Sequence, residues 1–260
     1  MNTLQQLFKR YPLFWFFLLA YLLSWWSVPF ANGQIIPHGP ALAAVIVLAI
    51  TSGKQGLREL WRRVTRWRVA WYWYVIGPGL IAAYLGGGYV LALLSGVTPT
   101  NPPRLPVMGT FIELLLLGGI WEEPGWSGFA LPRLQERYAG RKNGVLLATL
   151  ILGAFRAIWH LPLFFYGHVP WFDVLIFTFA FQIIISWLYN RSGGSALIVM
   201  IFHFASNVLA GGIMLPAFEG TSRLSFSALF IALAGLIALI ILFGSRLRLG
   251  YRPAVGEATA

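Results

Sequence analysis

The chain has 260 residues, of which 58% are hydrophobic and only 10% charged. Soluble domains carry about 25% charged residues, so this composition, with a mean hydropathy of +0.72, describes an integral membrane protein and excludes a soluble enzyme. The absence of cysteine excludes disulfides, thiolate catalysis and Cys-ligated metals, and the net charge of +11 has to be explained by its placement along the chain.

Residues 1–10 read as a short polar tail ending in Lys9-Arg10. The apolar run after it is too long and too aromatic for the core of a signal peptide, and no small-x-small cleavage site follows cleanly, so it reads as a retained first span. Further apolar runs give spans over approximately 12–31, 37–52, 71–95, 107–128, 144–163, 170–189, 194–215 and 224–244. The turn between the first two carries Asn32-Gly33 and His38, the latter read as a solvated loop histidine. Residues 54–70 differ in kind: Leu57, Leu60, Trp61, Val64 and Trp67 recur at helical spacing, and Arg58, Arg62, Arg63 and Arg66 fill the other face. That pattern predicts a basic amphipathic helix lying on an anionic leaflet.

In span three, glycines 86–88 permit close helix packing, and residues 96–106 form a Pro-rich connection. Residues 246–260 are a basic step followed by a small polar tail without regular structure. The expected fold is all-α: a polytopic membrane bundle of about eight transmembrane helices with one interfacial amphipathic helix, forming a single domain over 1–260. Threading eight spans places sixteen of the nineteen cations on one side, with Arg104 and Arg223 opposite and Arg156 inside a span. The positive-inside rule then puts both termini in the cytoplasm, in a cell membrane, and leaves no nucleic-acid footprint. A short cysteine-free chain without long loops fits a prokaryotic source.

Against this apolar background the stretch WEEPGWSGFALPRL, residues 121–134, stands out. Two of only eight acidic residues, Glu122 and Glu123, follow an apolar run directly. A charged side chain at the bilayer centre costs roughly 2.5–3.5 kcal/mol on insertion scales and is rarely kept without a task. Pro124 removes an N–H and clashes with the carbonyl four residues back, so a helix through it must kink or open. Span five adds Arg156 and His160, four residues apart on one face, and span seven adds His203 and Asn207 at the same spacing. Each has an ordinary reading as a hydrogen-bonded group between helices. Together they predict one water-filled cavity shared by three spans.

These segments resemble the three motifs of the CPBP family, the CAAX-type and bacteriocin-processing (Abi) intramembrane proteases. The resemblance rests on Glu122-Glu123 running on to Gly128-Phe129 and Pro132-Arg133-Leu134, on Trp159-His160-Leu161-Pro162-Leu163-Phe164, and on His203 with Asn207; it covers about residues 107–210. It implies an intramembrane endopeptidase acting on peptides or membrane proteins in the bilayer. Ser127 stands where the family has arginine, and Arg156 where it has an aromatic residue. We expect Arg156 to supply the missing guanidinium to Glu123 from the neighbouring helix, keeping a structural ion pair. In that reading Glu122 is the general base, His160 orients the water and shuttles its proton, His203 and Asn207 donate to the oxyanion, and Glu123 supports them. The family is also described as metalloproteases, which would make Glu122, His160 and His203 a zinc set. The metal-free glutamate mechanism is preferred, because the HExxH spacing is absent and asparagine is an unusual zinc partner. The alternatives are a non-catalytic scaffold, immunity protein or transporter, and a rhomboid-like serine protease using Ser127 within Gly-Trp-Ser-Gly.

Overall fold

The computed structural model describes residues 3–251; the expected tail beyond 251 lies outside the described residues. Among these, all regular structure is helical. Five helices are long and apolar enough to cross a bilayer: Trp73–Leu94 (α5), Gly144–Phe165 (α9), Asp173–Arg191, Ala196–Ala217 and Gly220–Gly244 (α12). The third begins with a π turn, Asp173–Phe177, before α10, Thr178–Arg191. The fourth is α11, Ala196–Ser206, continued by a π segment, Asn207–Met214, and a 3-10 turn. Two shorter apolar helices, Pro12–Trp25 (α2) and Gly39–Thr51 (α3), pair at the side of the bundle.

Residues 3–10 are not an extended tail. They form α1, Thr3–Arg10, because Phe8 buries itself in stacking on Trp15, with ring centroids 4.5 Å apart. The basic amphipathic helix, α4, ends earlier than its periodicity suggests, at Val64. Beyond it the carbonyls bond elsewhere: Ser195 Oγ donates to Arg66 O at 2.7 Å and Tyr74 Oη to Trp67 O at 2.6 Å. Nor does α4 only rest on a surface. Leu60 is buried, while Trp61 and Trp67 stay exposed on the lipid-facing side.

The largest departure from expectation is at 107–128, which is not one continuous helix. Helix α6, Met108–Leu117, has only ten residues and buries none of them. It stops at Gly118, whose backbone is extended (φ −90°, ψ 173°). A 3-10 turn, Gly119–Trp121, leads into a short helix, Glu123–Gly125 (α7), a π turn, Trp126–Ala130, and α8, Leu131–Tyr138. Pro124 therefore does not kink a helix; it occupies the first turn, where a missing N–H costs nothing.

The π turn has a chemical counterpart at Pro132. Lacking an N–H, Pro132 cannot bond the carbonyl of Gly128, four residues back. Arg63 Nη1 of α4 donates to that carbonyl instead, at 3.0 Å. Helix α9 is pinned to α2 in a similar way, through Tyr21 Oη to Phe155 O at 2.9 Å and Trp25 Nε1 to Trp159 O at 3.0 Å.

Candidate active site

The site is built around a carboxylate. Glu123 is fully buried at the start of α7 and receives three donors. Arg156 Nη2 of α9 lies 2.7 Å from its Oε1, His203 Nδ1 of α11 lies 2.7 Å from the same oxygen, and Ser127 Oγ donates to Oε2. Arg156, only 2% exposed, also reaches Glu122 Oε2 at 3.5 Å and Gln182 Oε1 of α10 at 3.4 Å. Gln182 Nε2 passes the chain to Ser186 Oγ at 3.1 Å, which Thr149 Oγ1 of α9 also bonds at 3.0 Å. One guanidinium thus ties together the acidic turn, α9 and α10. A buried ion pair with its remaining lone pairs satisfied is the arrangement under which burial of charge is tolerable.

Glu122 is differently placed. It is 5% exposed, and its Oε2 has no hydrogen-bond partner among the described residues. A buried acceptor left in that state is costly unless water meets it.

The two histidines are oriented by their Nδ1 atoms. His160 Nδ1 lies 2.8 Å from Arg156 O. A carbonyl only accepts, so Nδ1 carries the hydrogen and Nε2 keeps a lone pair. His203 donates Nδ1–H to Glu123, so its Nε2 donates only when the ring is an imidazolium. Arg156, His160, His203, Ser206 and Asn207 line one cavity of about 200 Å³ with Asp173 and apolar groups including Phe181. Neither Glu122 nor Glu123 is among the residues on its wall; both stand against Arg156.

Two glycines make this approach feasible. A Cβ on Gly119 would fall on the imidazole of His203, at Nε2, and one on Gly118 would sit 2.8 Å from Asn207 Nδ2. The break after α6 is therefore where the backbone passes directly against the third-motif side chains.

Asp173 was not singled out from sequence, since an acid at the end of an apolar run reads as an interfacial residue. Its carboxylate has no hydrogen bond or ion pair among the described residues. Glu113, exposed within α6, also escaped notice among its apolar neighbours. Four of the eight acids in the chain, Glu113, Glu122, Glu123 and Asp173, lie within or at the edge of apolar runs, and that placement was the available signal. Ser127 is fully buried and turned to Glu123, with no contact to either histidine, so no Ser–His dyad forms. No group of three His, Asp or Glu side chains among the described residues is placed to hold a metal ion. Glu122, His160 and His203 therefore do not fit a zinc set, and no step below runs through one.

A family model described as Type II CAAX prenyl endopeptidase Rce1-like matches residues 104–209, the stretch from just before α6 to Asn207. CAAX prenyl protease 2 of Methanococcus maripaludis is 30% identical over 169 residues, 61% of this chain and 58% of that protein. Over its motif-bearing core, the chain is similar to the Rce1-like CAAX prenyl endopeptidases. It spans 58% of the length of the curated relative it matches. All three CPBP motifs fall inside the matched segment, including the two departures from the family pattern, Ser127 and Arg156. In this chain the two departures occupy the same carboxylate: Arg156 on one oxygen and Ser127 on the other.

Proposed function

We propose that the protein is an intramembrane endopeptidase that hydrolyses a peptide bond with a water activated by Glu122 and His160. The observation that carries the reading is the buried Oε2 of Glu122, which makes no hydrogen bond among the described residues and stands 3.5 Å from Arg156, beside a cavity onto which two oriented imidazoles and an amide converge. Glu122 takes a proton from water as its oxygen attacks the scissile carbonyl. The lone pair on His160 Nε2 aligns that water and relays the proton to the leaving nitrogen as the C–N bond breaks. His203, in its imidazolium form, and Asn207 Nδ2 donate to the oxyanion that develops. Glu123 acts through His203 and Arg156 and is a positioning residue. The substrate is a peptide or membrane protein presented at the bilayer; the distribution of cations supports both termini, α4 and the α8–α9 turn lying on the cytoplasmic side.

Purified protein should cleave a reporter peptide with Glu122→Gln reduced by about 10²–10⁴ in turnover at unchanged thermal stability. Ser127→Ala should keep its cleavage activity. Wild-type rates in Glu122→Gln would overturn the mechanism, and labelling by a fluorophosphonate that Ser127→Ala abolishes would replace it with a serine protease.

A further inference from the structure

Far from the site, the chain leaving α12 adopts a conformation that needs a reason. Arg246, Leu247 and Leu249 all have positive φ (50°, 64° and 47°). The left-handed region is uncommon for any non-glycine residue, and for leucine it is disfavoured outright. Such outliers persist only when their surroundings over-determine them. Here they do: Leu247 N bonds Leu242 O at 2.9 Å, Leu249 N bonds Ser245 Oγ at 3.1 Å, and Asn190 Nδ2 of α10 bonds Leu249 O at 3.1 Å. Leu249 is fully buried.

The consequence of this fold-back is electrostatic. It sets Arg246 and Arg248 on one wall of a cavity of about 310 Å³ whose other wall is the α8–α9 turn, with Arg141 and Lys142. Asn143 in that turn is also left-handed, with φ 58°. Among the described residues, no acidic side chain lines the cavity. None of the four cations is in an ion pair among the described residues, although Arg141 lies over the Tyr138 ring at 5.1 Å. Four like charges brought together by strained backbone repel one another unless an anion joins them. A second cavity, about 480 Å³, shares Arg248 and is lined by Arg191 and Ser245 as well as Trp187, Ile240 and Ile241, of which Ile240 is 62% exposed.

We propose that this cavity binds the phosphate of an anionic phospholipid, with its acyl chain running along Trp187, Ile240 and Ile241 of the second cavity. A phosphate takes Arg246 and Arg248 from the α12 end and Arg141 and Lys142 from the turn, and relieves their mutual repulsion. The acyl path distinguishes a lipid from a free phosphate, which has no use for Trp187 and Ile240. The site does not depend on the peptidase reading.

The test uses full-length, delipidated protein in neutral detergent, titrated with phosphatidylglycerol, phosphatidylcholine or inorganic pyrophosphate, with binding read by native mass spectrometry and melting temperature. Phosphatidylglycerol should bind and raise the melting temperature, and phosphatidylcholine should not. Arg246→Gln/Arg248→Gln and Arg141→Gln/Lys142→Gln should each weaken binding on the order of 30-fold. The control pair Arg58→Gln/Arg68→Gln, on the exposed side of α4 and the segment after it, should leave binding unchanged. Equal weakening in that control would overturn the proposal in favour of diffuse charge attraction. Wild-type affinity in both cavity variants, or equal binding of phosphatidylcholine, would also overturn it. Binding of pyrophosphate without phosphatidylglycerol would refute the lipid and assign a soluble phosphate.

Discussion

Glu123 is the residue on which the site turns, because one carboxylate holds a hydroxyl, a guanidinium and an imidazole. Removing its cation leaves a buried charge unpaired, so Arg156→Gln should destabilise the fold by about 3–5 kcal/mol, read as a fall in melting temperature. The departure from the family pattern can be tested by reversing it. Ser127→Arg alone places a second guanidinium on an already paired, fully buried carboxylate and should be strongly destabilising. Combined with Arg156→Phe it should recover much of that loss, a coupling of about 0.5–3 kcal/mol in a double-mutant cycle. Additive effects would mean that the two positions do not share Glu123. At Gly119 the expected loss is catalytic: Gly119→Ala puts a methyl on His203 Nε2 and should lower turnover by about 10²–10³, as for a lost oxyanion donor. These side chains were legible as a set because charge and amide groups are rare in apolar runs. Their order around the cavity was not. Asp173 looked interfacial, and only the fold shows that the glutamates sit against Arg156 and off the cavity wall.

Among the elements, the run from α6 to α8 shows why sequence reading misjudged the break. Pro124 is the conspicuous breaker, yet proline in a first turn is unremarkable, and the chain opens earlier, at Gly118 and Gly119. What forbids a side chain there is the presence of Asn207 and His203, two residues almost a hundred positions away, which no local pattern encodes. The end of α4 at Val64 is of the same kind, since carbonyls just beyond it are claimed by Ser195 and Tyr74. Helix α4 in turn supports the π turn. Arg63→Met should leave the Gly128 carbonyl without its donor and cost about 1–3 kcal/mol in thermal denaturation. The same arginine steadies Glu59. Partial desolvation pushes the Glu59 carboxyl up, but Arg62 and Arg63 outweigh it and hold the carboxyl below its usual range. Stability from this group is then present at neutral pH and lost as pH falls through its lowered value. The melting difference between wild type and Glu59→Gln should close on the acid side of the ordinary carboxylate range, below about pH 4.

For the molecule as a whole, the spans were the most legible feature, because apolar length is set by bilayer thickness and needs no tertiary knowledge. The exception was the segment whose polar partners let it leave the helix. The orientation proposed from the cations is open to direct measurement, since a chain without cysteine lets each introduced thiol report alone. Asn101→Cys should react with a membrane-impermeant maleimide in intact cells, and Gln55→Cys only after lysis. The reverse pattern would invert the topology.

Helix α6 has a bearing on the surrounding lipid. Ten residues rise about 15 Å, roughly half the hydrocarbon thickness of a typical bilayer, and none of them is fully buried, only Thr110 and Leu114 being partly covered. Glu113 on this helix is exposed as well. Acyl chains along that flank meet too short an apolar wall and must shorten or tilt to match it. A membrane-embedded chain arriving from that side would already have shed part of its hydrocarbon sheath before its backbone neared His203.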